Sequence, residues 1–298
     1  MGGLSRKRTR WPGRGPLSQS RVPCYNPGMI TPAEHTARAL ADAGLDPETA
    51  AVLPSPAIAE IAGRDSIAAA VVAVRESGFR TILPTVVHTG TEYGDHDAPF
   101  RAVERLRLEL GDEVQVLPLV SLSSPGLWAA LNGRFASVIS GTFGVSSPCL
   151  ACHLYMHLAR VPLALALGGA PVIAGERDSH GGHTKLSQTP LGIDASIRVL
   201  SHAGIDLLEP VRHVRDGATI TSLAGGAWAA GDGQLRCVHS GNYIALDGSV
   251  AYDELAYSRY LHRFLEPAGF AVIDAWRLDS QPDYEAIVRR VLEGSDAA

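Results

Sequence analysis

The chain contains four cysteines, two of which, Cys149 and Cys152, form a C-x-x-C pair after Pro148 and just ahead of a helical pattern. Two sulfurs three residues apart can bind one metal ion or one cluster, and a helix N-terminus is expected to favour their thiolate form. His153 extends the pair to C-x-x-C-H, the attachment pattern of c-type haem, but no export signal accompanies it. Cys24 lies in a basic N-terminal stretch, and Cys237 follows Cys152 by 85 residues. Three thiolates can hold three irons of a four-iron cubane and leave the fourth iron open to a ligand, whereas a structural zinc would ask for a fourth protein ligand. Cys149, Cys152 and Cys237 are therefore the candidate metal ligands, with zinc as the alternative to iron.

A second constellation, Ile61-Ala62-Gly63-Arg64-Asp65-Ser66, stands between a strand-length apolar run and a helical pattern. Open α/β sheets bind ligands at the C-terminal ends of their strands, where a helix N-terminus offers free N–H groups and the positive end of its dipole to phosphate. Gly63 lets the backbone approach, Ser66 offers a hydroxyl, and Asp65 is placed to cap the helix. The loop is neither G-x-G-x-x-G nor Walker A. The next strand ends in Thr85-Val86-Val87-His88-Thr89-Gly90-Thr91-Glu92-Tyr93. A third segment, 172–185, leaves a strand at Ala174 and carries Gly175, Glu176, Asp178, His180, His183 and Lys185. Lys185 is the only lysine outside the N-terminal stretch, and a compact ammonium there suits a phosphate. Glu176 or Asp178 suits Mg2+ or the role of a base, while zinc on His180 and His183 lacks a matching acid at helical spacing.

Taken together, these segments resemble the PP-loop ATP pyrophosphatases, whose strand–(S-G-G-x-D-S)–helix loop is matched in its last five positions by 62–66. Ile61 replaces the serine and Ala62 the first glycine, which removes one hydroxyl contact to phosphate. The 85–93 segment is similar to the "TG.E" strand end that borders adenosine in such enzymes, especially the PAPS-reductase-like ones. The C-x-x-C before a helix and the single later cysteine resemble the iron–sulfur-dependent tRNA thiolation enzymes of that superfamily. Leu208-Glu209-Pro210-Val211-Arg212 looks like their "RPL" stretch, and 172–185 stands where they carry "GHN.DD".

The resemblance implies ATP lying across the strand ends, with Ala62, Gly63, Arg64, Asp65, Ser66, His88, Thr89, Gly90 and Gly175 around it, and Mg2+ as its ion. It implies Asp65, Asp178 and Lys185 at the catalytic centre and a 4Fe–4S cluster on the three cysteines. The implied reaction attaches AMP to a carbonyl oxygen, releases pyrophosphate, and lets sulfur displace the AMP. Two other readings stay open: an amide- or nitrile-forming ligase with zinc in place of the cluster, and a non-catalytic adenine-nucleotide-binding protein.

The elements that must position these residues alternate. A helix over 31–44 has Thr31 as N-cap, Pro32 at N1 and Glu34 in a capping-box position. Strands over 57–62, 81–87, 114–120, 135–140, 171–175 and 205–210 are interleaved with helices over 66–77, 99–110, 153–167 and 195–203. Beyond them the pattern predicts a helix over 252–264, a strand over 270–276 and a terminal helix over 284–292. This alternation predicts an α/β fold, an open and mostly parallel sheet with helices on both faces, of HUP/Rossmann-like type by the resemblance. The expected organisation is a basic disordered tail over 1–28, an ATP-binding domain over 29–215, and a smaller C-terminal α/β extension over 216–298 that carries Cys237 and packs on it.

With 298 residues, 46% apolar and 19% charged, the chain can bury a large core, and a disordered polymer or disulfide mini-protein is excluded. The net charge of −5 conceals an asymmetry: six of the 26 basic residues lie in 1–28, leaving 20 against 31 acids, or −11, in the rest. An acidic body argues against a broad nucleic-acid footprint and favours a small-molecule substrate over a tRNA base. The basic N-terminus lacks an apolar h-region, so the expected compartment is the cytoplasm, with no membrane partner. The sulfur donor is unspecified, and a homodimer is compatible with this reading.

Overall fold

The computed structural model describes residues 32–145, 147–180, 185–226, 228, 234–250, 253–278 and 282–296. Thr31 and His183 lie outside these residues, as do the 1–28 stretch and most of the Gly/Ala-rich 224–233 segment. Eight strands are described: β1 (Pro56–Glu60), β2 (Thr81–His88), β3 (Glu92–Tyr93), β4 (Gln115–Val116), β5 (Val120–Ser123), β6 (Val172–Ile173), β7 (Leu207–Leu208) and β8 (Arg236–Cys237). Six of them form one sheet in the order β4-β2-β1-β6-β7, with β5 also beside β2, and every pairing in it is parallel. β3 and β8 form a separate antiparallel pair. The open, parallel α/β architecture expected from the alternation is therefore present.

Central strands of such sheets are covered on both faces and read as continuous apolar runs. In β1, Ala57, Ile58 and Ala59 are fully buried and alternate between two cores. Ala57 and Ala59 face the helices Arg64–Ser77 and Ala98–Leu110, together with Ile67, Ala102 and Ile220. Ile58 and Leu83 face the larger core of Leu154, Tyr155 and Val199. Tyr260, Phe264, Val272 and Val288 join this second core, so the C-terminal helices share it with the sheet.

Four local expectations are corrected. The 114–120 run is two strands, β4 and β5, both beside β2 but separated by Leu117-Pro118-Leu119. The gap lies opposite Pro84 of β2, and neither proline can donate to a ladder. Residues 135–140 are not a strand: the helix Ala136–Phe143 runs there, because Phe135, Ile139 and Phe143 recur every four residues and are all buried. Residues 270–276 likewise belong to the helix Glu266–Trp276, whose Ala268, Val272 and Trp276 make one buried stripe. It continues from Glu254–Tyr260 through a π turn at Leu261–Leu265. The 153–167 helix is two, Cys149–Leu158 and Val161–Ala166, with Pro162 in the first turn of the second. By length and composition alone, Cys149–Ala166 is apolar enough to cross a membrane; here it is a core segment, more than half buried.

The chain order places the site. From β1 it moves through β2 to β4 and β5 on one side, then crosses back to β6 and β7 on the other. Such a reversal leaves a crevice outside the carboxyl ends of the two strands flanking it, here β1 and β6.

Candidate functional site

The loop 61–63 leaves β1 at this crevice and opens the helix Arg64–Ser77. Its N-cap is Gly63, which corrects the expected capping role of Asp65. Gly63 has φ 156°, and a Cβ there would meet Gln234 Cβ at 3.2 Å, so only glycine fits. The Ser66 hydroxyl accepts from the N–H groups of Ala62 (3.0 Å) and Gly63 (3.1 Å) and donates to the Gly63 carbonyl (2.7 Å). Ser66 therefore holds the loop's shape rather than reaching out to a ligand. Gly175, just past β6, lies against the same turn: a Cβ on it would fall 2.5 Å from Ser66 N.

Cations crowd this helix N-terminus. Arg177 Nε donates to Asp65 Oδ2 at 2.8 Å and Arg64 Nε to Asp65 Oδ1 at 3.1 Å. Arg177 is buried and also reaches the carbonyls of Val214 and Arg215. Lys185 is exposed as a residue, yet desolvation lowers its pKa, with Arg177 and Arg64 adding to the effect against the pull of Asp65 and Glu176. His180 accepts at Nδ1 from Arg177 (3.4 Å), and its buried Nε2 has no hydrogen-bond partner among the described residues. Burial, then Lys185 and Arg177, push its pKa down to about 4. Three cations thus share chiefly one acid, Asp65, at a helix N-terminus, an arrangement suited to an anion. Asp178 stands apart from them, bound to His213 Nδ1 at 2.8 Å with Arg212 Nε at 3.8 Å. The acid within electrostatic reach of Lys185 besides Asp65 is Glu176.

The strand end after β2 is shaped by its own glutamate. Glu92 accepts from Thr89 N (2.6 Å), Thr89 Oγ1 (2.7 Å) and Gly90 N (2.9 Å), while Gly90 takes φ +78°. Burial would raise the Glu92 pKa, but these bonds hold it below the ordinary value. The His88 carbonyl accepts from Tyr155 OH at 2.8 Å, which ties this turn to the Cys149–Leu158 helix.

The three candidate cysteines converge beside that turn. In the β3–β8 pair Cys237 is the register partner of Glu92, and its sulfur lies 3.2 Å from Thr91 Oγ1. His239 bridges towards Cys149, with its N–H 3.4 Å from Cys237 Sγ and its carbonyl 3.8 Å from Cys149 Sγ. Cys152 Sγ accepts from Trp128 Nε1 at 3.4 Å. Burial pushes the Cys152 thiol up to about 12 despite that bond, and the neighbouring Cys237, Cys149 and Glu92 add to the rise. Burial also raises the Cys149 thiol. Both directions are opposite to the thiolate expected at a helix N-terminus, because desolvation outweighs the dipole. Among the described residues, the three sulfurs do not all lie within 4.8 Å of one another. Three part-buried thiols from two segments are a donor set that an iron–sulfur cluster takes, or a zinc ion with a further ligand.

Of the layer beneath, sequence reasoning singled out Glu176 and missed Glu60, His157 and Arg160 around it. Glu60 ends β1, and its Oε1 accepts from His157 Nδ1 (2.6 Å) and Arg160 Nη1 (2.9 Å). Burial opposes its ionisation, but Arg160 and His157 hold its pKa down at about 2. Glu176 Oε1 accepts from His153 Nδ1 at 2.9 Å and stands 4.0 Å from His157 Nε2. Glu209, just past β7, accepts the Glu176 N–H at 3.2 Å; burial and the Glu176 and Glu60 carboxylates raise its pKa well above the ordinary value. Two signals were available: Glu60 as the acid closing an otherwise apolar strand, and His153, His157 and Arg160 at helical spacing behind the C-x-x-C pair.

No protein-family model matches the chain. Over 220 residues it is 36% identical to the uncharacterized protein MJ0009 of Methanocaldococcus jannaschii, an alignment covering 73% of this chain and 79% of the archaeal one. The chain therefore belongs to the same family as that archaeal protein.

Proposed function

We propose that the chain is an ATP-using enzyme of PP-loop type that adenylates a carbonyl oxygen of its substrate and then replaces that oxygen with sulfur. The observation that carries the reading is the approach of Cys237 to Cys149 and Cys152 beside the 88–92 strand end, with Gln234, three residues before Cys237, lying against Gly63 of the cationic loop.

In this reading the first turn after Gly63 receives the phosphates, because its N–H groups have no partner within the helix. Arg64, Arg177 and Lys185 offset the negative charge that gathers on pyrophosphate as the carbonyl oxygen attacks the α-phosphorus. Asp65 holds the two arginines in place by one carboxylate oxygen each. A hydrosulfide from the sulfur donor then adds to the activated carbon, the bond from that carbon to the adenylate oxygen breaks, and AMP departs with the former carbonyl oxygen as the sulfur loses its proton. Cys149, Cys152 and Cys237 would hold the iron–sulfur cluster, which supplies an iron with a free position for incoming sulfur. The acidic balance of the chain beyond its N-terminal stretch favours a small carbonyl-bearing substrate over a tRNA base.

Anaerobic purification with absorption spectra and iron analysis, on wild type and Cys237→Ala, tests this. The expected result is a broad band near ~400 nm and about four irons per chain, both lost in the variant, with ATP-dependent pyrophosphate release by the wild type. Protein that stays colourless and iron-free after anaerobic reconstitution sinks the sulfur chemistry. Pyrophosphate release with one bound zinc would then point to a ligase, and no release to a nucleotide-binding protein.

A further inference from the structure

The glutamates and histidines beneath the cysteines have no part in the chemistry proposed above. Three adjacent parallel strands each deliver one of the carboxylates to the same edge: Glu60 closes β1, Glu176 follows β6 and Glu209 follows β7. From the Cys149–Leu158 helix, His153 and His157 meet them one turn apart. Glu60, His157 and Glu176 are buried, and one potential ligand atom from each lies within 4.8 Å of the others. An ion with bonds of ~2.1 Å holds its ligands roughly 3.0–4.2 Å apart, so small side-chain movements suffice to close on one.

Among the described residues, two oxygens in this cluster have no hydrogen-bond partner. Glu176 Oε2 and Glu209 Oε1 are buried and unpaired, and Glu176 as a residue is only 6% exposed. Arg160 is committed to Glu60, Thr85 and the Met156 carbonyl, and Arg212 is turned to Asp194 at 2.7 Å. Among the described residues no lysine or arginine lies within ion-pair distance of Glu176 or Glu209. Buried carboxylate oxygens without partners are costly, and they need a hydrogen-bond donor or a cation. The contact between His157 Nδ1 and Glu60 is the one by which a carboxylate orients a metal-binding imidazole and leaves Nε2 for the ion; Nε2 is the atom that faces Glu176.

We propose that Glu176 and His157, flanked by Glu60 and Glu209, bind one divalent transition-metal ion of the Mn2+, Fe2+ or Zn2+ class. Mixed imidazole and carboxylate donors suit these ions, and the absence of sulfur separates the site from the cysteine triad. Mn2+ is the useful probe, since it favours oxygen and nitrogen over thiolate.

The full chain, stripped with chelator, would be titrated with Mn2+ and the free ion followed by electron paramagnetic resonance. The expected uptake is one ion per chain. Glu176→Gln and Glu209→Gln, which keep shape and one hydrogen-bonding oxygen, are expected to weaken uptake tenfold or more. Glu60→Gln, acting through His157, should weaken it about 10- to 100-fold. Cys237→Ala is expected to keep its Mn2+ affinity within twofold, so a failure of the sulfur chemistry would leave this site standing. If a variant misfolds, the wild type decides alone: its melting temperature must rise with Mn2+ as mass action requires. A wild type that takes up neither Mn2+ nor Zn2+, or a folded Glu176→Gln chain that binds as tightly as wild type, overturns the proposal.

Discussion

Gly175→Ala tests whether the end of β6 and the turn at Asp65-Ser66 really touch. A Cβ at Gly175 would lie 2.5 Å from Ser66 N and 2.6 Å from both Asp65 C and Ser66 Cα. All three are backbone atoms and cannot rotate away. Ordinary contact begins at 3.4 Å, so the turn and the strand end must separate by about 0.9 Å. Gly175 is not among the glycines with positive φ, so alanine meets no backbone penalty there and the effect is steric. Overpacking of this kind costs about 1–3 kcal/mol, and for a chain of this size each kcal/mol moves the melting temperature by roughly 2–4 °C. A fall of roughly 2–12 °C is therefore expected. Under the proposed function the displaced N–H groups are those that receive phosphate, so ATP or pyrophosphate affinity by calorimetry should fall at least tenfold. Gly141→Ala is the control: this helical glycine has open space around it and should gain about 0.5–1 kcal/mol. A Gly175→Ala protein with wild-type melting temperature and unchanged ATP affinity would refute the close approach and the site built on it.

Arg160→Met leaves Glu60 buried beside His157 alone and is expected to cost about 3–5 kcal/mol in denaturant unfolding. Adding Glu60→Gln should recover part of that loss, and strict additivity of the two would show the pair uncoupled. His180, held at about 4 in the folded chain against an ordinary value near 6.5, makes stability fall as pH drops from about 6.5 to 4 and level off below, because the unfolded chain takes up that proton first. Urea midpoints across that range, compared between wild type and His180→Gln, measure it. Pyrophosphate bound among Arg177, Lys185 and Arg64 should raise the His180 pKa, seen by NMR titration; an unmoved pKa at saturation would place the anion elsewhere.

Local periodicity carried most of the fold. The alternation of apolar runs and helical patterns from Pro56 to Leu208 announced a parallel sheet, because a buried strand and its covering helix each write their period into the chain. The two strands that became helices, at 135–140 and 270–276, are short apolar runs in which a period of two and a period of 3.6 are hard to separate. The pairing of Phe135 with Ile139 and Phe143 settled the first, and the long continuation from Tyr260 settled the second. The broken β4–β5 strand depended on Pro84 and Pro118 standing opposite one another, a matter of register between distant segments.

Residue type and spacing marked out the loop at 62–66, the 88–92 turn, the C-x-x-C pair and Lys185, because each is a local pattern with its own chemistry. Tertiary structure decided what these residues meet. Only the β3–β8 pairing brings Cys237 towards Cys149 and Cys152, and burial above all turns the pKa of Cys149 and Cys152 upward. Likewise, Glu60, Glu176 and Glu209 are scattered acids along the chain, and they become one buried cluster because parallel strands deliver their C-terminal ends to the same edge. Contacts between groups far apart in sequence leave no periodic trace, so their chemistry exists only once the sheet has formed.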